Sequence, residues 1–242
     1  MSGHSKWSTI KRKKGALDQK RGKLFSSMAR EITISVKLFG SDVDTNPRLR
    51  QAIKKAKSIN MPNANIDKAI KKGAGELENV VYEEVSYEGY GPNGVAVFIE
   101  TITDNKNRTV AEIRHVLSKF GGSLGQNGSV AWNFNKMGIV FIEDSNISEE
   151  EALNLSVEVD ANDFKLEDKF FKIFFDHNVL YEKIELIENK GIDIDSSFIE
   201  LIPKNFVEIS DEDFSTIEKL IDALDDLEDV QNVYSNYKVK SN

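Results

Sequence analysis

The sequence predicts an α+β protein of three domains: an N-terminal helical bundle, a middle α+β domain, and a ferredoxin-like α+β domain inserted into the middle one. Apolar residues recur at helical spacing up to about residue 73, and strand-like segments alternate with helices from about residue 80. The charge also changes there, from a net +13 over residues 1–75 to a net −21 over residues 76–242, in a chain of net charge −8. The predicted domains are residues 1–75, residues 76–135 with 206–242, and residues 136–205.

The composition of the 242 residues excludes several classes of protein and of site. There is no cysteine, so disulfides, iron–sulfur clusters, cysteine-ligated zinc and cysteine nucleophiles are all excluded. No apolar run approaches the ~18 residues of a membrane-spanning helix. No hydrophobic segment follows the basic N-terminus, as it would in a secretory signal. We therefore expect a cytoplasmic protein without a membrane partner.

Three helices are predicted for the N-terminal domain. From Leu24, apolar residues recur at three- and four-residue steps, which predicts a helix that is stopped by Gly40. A second helix is predicted from Asn46, a capping residue that is followed by proline. The third is predicted over residues 63–72, before Gly73. Lys and Arg lie outside the apolar stripes, so we expect a small bundle with a basic exterior.

The middle domain is predicted to follow a change of composition at residues 73–79. Segments 80–88 and 94–103 are rich in Val, Ile and Tyr and predict two strands, with a glycine- and proline-containing turn between them. The segment TDNKNRT then leads into a helix with apolar residues between 110 and 120. A glycine-rich segment follows and leads to a strand predicted at 130–134.

The inserted domain is predicted from its order of elements. Between residues 138 and 202 the pattern indicates a strand, a helix, a hairpin, a helix and a strand, which is the βαββαβ order of ferredoxin-like domains. One helix at 211–227 and one strand at 230–237 remain. Because a single helix and a single strand do not form a domain, we expect them to complete the sheet that begins near residue 80.

The charge of the N-terminal domain favours a polyanionic partner, of which nucleic acid is the first candidate. A net +13 over 75 residues exceeds what solubility requires, and Arg and Lys both bind phosphate. The alternative is that these side chains only solvate helix faces and that Trp7 anchors the basic arm on the helices. The predicted nucleic-acid-binding residues of this domain are Lys6, Trp7, Lys11, Arg12, Lys13, Lys14, Lys20, Arg21, Lys23, Arg48, Arg50, Lys54 and Lys55.

The kind of nucleic acid is less constrained by the sequence. Phosphate contacts position a protein but do not read base sequence. The N-terminal domain has no strong helix-turn-helix signature with a polar recognition helix, and its basic arm resembles a ribosomal-protein extension. The sequence therefore favours RNA, with duplex DNA as the alternative.

The segment DNKNRT (104–109) is a second candidate for anion binding. It precedes a helix, where free backbone N–H groups and the helix dipole attract anions. Asn and Asp are also ordinary capping residues, and the cap is expected to be Thr109 or Asn107. Because capping does not require arginine, Arg108 and Arg114 are added to the predicted nucleic-acid-binding residues.

No cofactor, metal or small-molecule substrate is expected. The three histidines are scattered and offer no metal-ligand spacing. The glycine-rich runs lack the lysine and the spacing of a phosphate-binding loop. No nucleophile or base accompanies the acidic clusters in a recognisable motif, so we expect no enzymatic activity. An enzyme such as a nuclease, and a protein-interaction module that uses the acidic part, remain as alternatives.

Several motifs, in order, resemble one known family. They are GHSKW (3–7), KRGK with Phe25 (20–25), NPRLR (46–50), NMP (60–62), YEGYGPNG (87–94), DNKNRTVAEIRH (104–115), FGGSLGQNGSVAW (120–132) and LIDALDDLEDVQNVYSN (220–236). On these residues the chain resembles the YebC family, which includes PmpR-type bacterial regulators and the mitochondrial translational activator of cytochrome oxidase subunit I. The resemblance runs nearly end to end and is weakest at 144–200.

The resemblance implies the same three domains and two competing functions. Bacterial members are commonly described as cytoplasmic, DNA-binding transcriptional regulators. The mitochondrial member, and more recent views of bacterial ones, indicate translation on the ribosome, including relief of stalling at proline-rich stretches. Because fold does not decide between them, we expect a non-enzymatic nucleic-acid-binding regulator that acts through ribosomal RNA, with binding of duplex DNA as the alternative.

Overall fold

The structure, a computed structural model, describes residues 17–77 and 81–240, with the backbone alone at 17–21. Its fold class is α+β, as predicted. The chain divides into two units, one of residues before 133 together with those from Asn205, and one of Asn133–Lys204. The bounds of the three predicted domains stay a prediction. In the described ranges, no helix has the length and apolar character to cross a membrane.

Helices α1 (Leu17–Phe39), α2 (Pro47–Ser58) and α3 (Asn63–Gly73) form the N-terminal bundle. Each contributes one apolar stripe to a shared core, as amphipathic helices do. The buried members of this core are Met28, Ile32, Val36, Leu49, Ala52, Ala56, Met61, Ile66 and Ala69. Helix α1 begins at Leu17, whereas the predicted helix began at Leu24. The prediction missed the first turns because residues 18–23 carry no apolar repeat.

Two residues position α2 and α3 against α1. The Asn46 side chain caps α2 by accepting the Leu49 N–H at 3.0 Å, and its amide donates to the carbonyl oxygens of Ser35 and Gly40. The predicted cap of α2 is therefore confirmed. At Gly73, an added Cβ would lie 2.5 Å from the Thr33 carbonyl oxygen, so only glycine allows α3 to approach α1 this closely.

A four-stranded sheet follows the bundle in the same unit. Its order is β3 (Ser123–Leu124), β1 (Glu83–Tyr90), β2 (Ala96–Thr103) and β9 (Val230–Ser235). Strand β9 pairs antiparallel with β2, so the C-terminal tail completes this sheet, as expected. Helices α4 (Lys106–Lys119) and α7 (Asp211–Asp225) form the core with it through Ile113, Leu117, Leu220 and Leu224. Strands β8 (Val207–Ile209) and β10 (Tyr237–Val239) pair in parallel.

The second unit has the predicted βαββαβ order. Its elements are β4 (Phe134–Glu143), α5 (Glu149–Glu158), β5 (Asp163–Glu167), β6 (Phe170–Asp176), α6 (Leu180–Asn189) and β7 (Ser196–Pro203). The strands are antiparallel in the order β5-β6-β4-β7. This is the interleaved arrangement of a ferredoxin-like domain.

Two of the strand predictions differ from the structure. The strand predicted at 130–134 is absent: Ala131–Asn133 form a 3₁₀ helix, because the Glu88 side chain binds backbone N–H groups that a sheet would use. The strand predicted at 230–237 is divided at Asn236, between β9 and β10. The Asn236 side chain accepts the Ala96 N–H at 2.7 Å and takes the place of a backbone partner there.

Candidate nucleic-acid interface

Two helices of the bundle carry exposed lysines that have no partner in the described ranges. On α2, Lys54 and Lys57 are three residues apart, and on α3, Lys68 and Lys71 have the same spacing, so each pair lies on one side of its helix. All four are exposed, and none has an ion pair or side-chain hydrogen bond within the described ranges. We call these four residues the bundle lysines. Several lysines elsewhere are paired: Lys106 lies 2.7 Å from Glu83.

The structure describes only some of the predicted nucleic-acid-binding residues of the N-terminal domain. The arm residues Lys6, Trp7, Lys11, Arg12, Lys13 and Lys14 lie outside the described residues, and at Lys20 and Arg21 of α1 only the backbone is described. Lys23, Arg50 and Lys55 are half-buried, and Lys54 is exposed. The prediction omitted Lys57, Lys68 and Lys71, although their spacing on the predicted helices was a usable signal.

Arg48 is engaged within the chain. Its Nε lies 2.8 Å from a Glu31 carboxylate oxygen of α1, and its Nη2 lies 2.6 Å from a carboxylate oxygen of Glu84 on β1. Burial alone would lower the pKa of Arg48, but the hydrogen bonds and charges of these two carboxylates raise it. Arg48 therefore links the bundle to the sheet, and it is not one of the bundle lysines.

Arg108 meets a buried carboxylate, that of Asp229. Asp229 is 1% exposed, and its Oδ2 accepts hydrogen bonds from Arg108 Nη2 at 2.7 Å, Thr109 Oγ1 at 2.7 Å and Thr103 Oγ1 at 3.1 Å. Arg30 of α1 lies 3.5 Å from its other oxygen. Burial by itself would raise the pKa of Asp229, but the bonds from Arg108, Thr109 and Thr103 hold it below the ordinary value.

This arrangement changes the interpretation of the DNKNRT segment. The cap of α4 is Asn105, whose side chain accepts the Arg108 N–H at 3.1 Å, so the predicted caps at Thr109 and Asn107 were wrong. Asp104 also binds the Arg108 guanidinium, at 2.8 Å. The arginine at this helix start thus has acidic partners inside the chain. Arg114 is exposed on α4 and has no such partner in the described ranges.

A second buried carboxylate holds the glycine-rich segments together. Glu88 of β1 accepts backbone N–H groups from Gly128 at 2.6 Å, Val130 at 2.7 Å and Ala131 at 2.8 Å. Tyr90 Oη donates to the Ser129 carbonyl oxygen at 2.9 Å. The two motifs YEGYGPNG and FGGSLGQNGSVAW are therefore one structural unit, organised by a single carboxylate.

Replacing Glu88 with glutamine is expected to lower the free energy of unfolding by about 1–3 kcal/mol. The amide group of glutamine would face at least one backbone N–H that now donates to a carboxylate oxygen. Urea denaturation monitored by circular dichroism measures the change. Glu76→Gln is the matched control, because Glu76 is exposed, and equal stability of the two variants would contradict the prediction.

The same carboxylates predict how stability changes in acid. The pKa values of Glu88 and Asp229 lie below their ordinary values of 4.5 and 3.8, so both groups stabilise the folded state most when ionised. We expect this contribution to be complete above pH 4.5 and to be lost as the pH falls below these ordinary values. Thermal melts across this range should show a weaker acid dependence for Glu88→Gln than for the unchanged chain. Parallel curves would contradict this.

The described residues contain no group of three or more His, Asp or Glu side chains placed to hold a metal ion. The polar clusters around Asp229 and Glu88 instead pair with arginine, threonine and backbone donors.

Comparison with protein families gives two matches along the chain. The TACO1/YebC protein N-terminal domain matches residues 5–76, and the TACO1/YebC second and third domain matches residues 82–237. The chain belongs to the TACO1/YebC family. The bundle lysines and the predicted basic arm residues lie within the TACO1/YebC N-terminal domain, whereas Asp229 and Arg108 lie in the part matched by the second and third domain.

Similar chains are found in several bacteria. A probable transcriptional regulatory protein of Prosthecochloris aestuarii is 51% identical, over 98% of this chain and 95% of that protein. One from Syntrophus aciditrophicus is 49% identical, over 99% and 96%. A crystal structure of a conserved hypothetical protein from Aquifex aeolicus matches with a TM-score of 0.84 and 44% identity, over 93% of both chains.

Proposed function

We propose that this chain is a non-enzymatic, nucleic-acid-binding regulator of gene expression that acts in translation through ribosomal RNA, for example in relief of stalling at proline-rich stretches. The observation that carries the proposal is the set of four bundle lysines, exposed and without acidic partners in the described ranges. Each offers an ammonium group to a phosphate. Neutralising several phosphates releases counterions and supplies most of the affinity of such a contact.

The acidic remainder of the chain supports the same proposal. Residues 76–242 carry a net charge of −21, so their field repels a nucleic acid while the N-terminal part attracts it. Charge separation of this kind orients a protein as it approaches a charged partner. The bundle would therefore meet the nucleic acid first.

The contacts that three arginines make within the chain favour RNA over duplex DNA as the target. Arg30, Arg48 and Arg108 bind carboxylates within the chain, so these three are not free for the bidentate guanine contacts that read duplex DNA, whereas Arg114 is exposed without such a partner in the described ranges. Lysine contacts to phosphate follow the shape of the backbone rather than its sequence. Structured RNA is recognised largely through shape and backbone contacts.

Duplex DNA is the second candidate, and two observations favour it. Helices α2 and α3 are separated by the four residues 59–62, which is the length of a helix-turn-helix turn. The first turn of α3 then carries two exposed asparagines, Asn63 and Asn65, where a recognition helix contacts base edges. The bacterial relatives are also named probable transcriptional regulatory proteins.

A competition experiment distinguishes the two targets. We expect the purified chain to bind ribosomal RNA fragments more tightly than duplex DNA at near-physiological salt, measured by fluorescence anisotropy across a salt series. A DNA sequence that exceeds random duplex by ~10³-fold would instead establish the second candidate. Hydrolysis of the RNA by the pure protein, abolished by replacing a defined acidic pair, would contradict the non-enzymatic part of the proposal.

The basic arm gives a further prediction. Replacing Lys11, Arg12, Lys13 and Lys14 with alanine is expected to weaken nucleic-acid binding, because each change removes a charge that can neutralise a phosphate. We expect the melting temperature to stay unchanged. Anisotropy and a thermal melt of the same preparation test both parts, and a large fall in melting temperature with unchanged binding would contradict them.

A further inference from the structure

A groove in the first unit lies between helices α1 and α3. Its volume is about 320 Å³, which is at the low end of the range for small-molecule sites. Phe25, Ala29 and Ala69 give it apolar walls, and Tyr82 adds an aromatic ring. The groove therefore has room and partly apolar walls for one small, partly apolar group.

The groove also contains a buried donor without an acceptor. Arg30 lines it and is 7% exposed, and its Nε has no hydrogen-bond partner in the described part of the chain. The Nη groups of Arg30 are engaged, with Glu228 and Asp229. A buried N–H without a partner is costly, so an acceptor on a bound group would be favourable here.

The carboxylate of Glu228, which also lines the groove, is paired with Arg30, and the rim carries two lysines. Lys68 lies on it, exposed and without an acidic partner in the described ranges, and Lys72 lies beside it with its Nζ 4.4 Å from the centre of the Tyr82 ring. Both offer ammonium groups next to an apolar interior. This combination fits a ligand that has a flat ring and a phosphate close together.

We propose that this groove binds one unpaired nucleobase of an RNA strand, with the adjoining phosphates at Lys68 and Lys72. A shift of the Arg30 side chain would present its Nε–H to a base carbonyl or ring nitrogen, and the apolar walls would cover the base plane. Unstacked bases of single-stranded loops are the usual targets of sequence-specific RNA recognition, and a charged groove beside a base-stacking surface also binds single strands without sequence preference. The inference rests on the proposed function and adds that the target must offer an unpaired nucleotide.

Two asparagines at the start of α3 provide a steric test on the full chain. Asn63 and Asn65 are both exposed in the first turn of α3, but only Asn65 lines the groove. We expect Asn65→Leu, which adds bulk without a base-stacking ring, to weaken binding of a labelled single-stranded RNA by about tenfold relative to Asn63→Leu. The same RNA in a duplex should bind both variants equally. Thermal melts confirm that both variants are folded.

Two lysines provide the corresponding charge test. Lys68 and Lys71 are exposed on α3, and only Lys68 lines the groove. Lys68→Glu should therefore weaken single-stranded RNA binding more than Lys71→Glu. If both members of each pair bind this RNA equally, the groove is not the site, although a loss shared by both lysine variants would still support the proposed function. If neither lysine variant weakens binding of any nucleic acid, the proposed function fails as well.

Discussion

Replacing Asp229 with alanine is expected to lower the free energy of unfolding by about 3 kcal/mol. Asp229 is buried and receives hydrogen bonds from Arg108, Thr109 and Thr103. Its removal would leave the Thr103 hydroxyl without its carboxylate acceptor and would remove the buried partner of Arg108, whereas the Thr109 hydroxyl would keep the Asn105 carbonyl oxygen at 3.0 Å. Arg108 is partly exposed, and Arg30 keeps its ion pair with Glu228. We therefore expect a loss of stability at the lower end of the range that is found when one partner of a buried ion pair is removed.

The measurement is urea denaturation followed by far-ultraviolet circular dichroism. Asp222→Ala is the matched control, because Asp222 is exposed on α7 and has no side-chain partner in the described ranges. The control should change stability by less than about 0.5 kcal/mol. If Asp229→Ala were as stable as the control, the network would not hold the helices and the sheet of this unit together.

Replacing all four bundle lysines with alanine is expected to weaken nucleic-acid binding by about a hundredfold at moderate salt. The lysines are exposed and unpaired in the described ranges, so their removal should cost little stability. Each phosphate contact contributes about one to the slope of log affinity against log salt concentration. The slope should therefore become shallower by about four. Fluorescence anisotropy across a salt series measures both quantities.

The control for this variant removes the same charge elsewhere. Alanine replaces four exposed lysines outside the bundle that have no ion pair in the described ranges, Lys119, Lys136, Lys219 and Lys238. If binding depended only on net charge, both variants would lose the same affinity, and the bundle would not be the interface. We expect the control to keep nearly the full salt slope.

Local patterns predicted most of the fold. The apolar stripes of α1, α2 and α3, the Asn46 cap and the βαββαβ order follow from spacing within about 15 residues. The failures arose where a distant side chain decides local structure. The strand predicted at 130–134 is replaced by a 3₁₀ helix because Glu88, which is 42 residues before Val130, takes the backbone N–H groups.

The candidate site was less predictable for the same reason. Arg48 and Arg108 look like nucleic-acid contacts in the sequence, yet their carboxylate partners Glu84 and Asp229 are 36 and 121 residues away. Charge composition alone does not show which basic residues are already paired. It did predict a cationic N-terminal domain, and the structure adds which of its lysines stay exposed.

The central claim is that the bundle lysines bind RNA in the cell. Ultraviolet crosslinking of the tagged chain in growing cells, with sequencing of all attached RNA and DNA, tests it most directly. We expect reads concentrated on ribosomal RNA for the unchanged chain, and their loss when Lys54, Lys57, Lys68 and Lys71 are replaced with alanine. Reads that lie upstream of a few genes as DNA, or ribosomal RNA reads that persist in this variant, would contradict the claim.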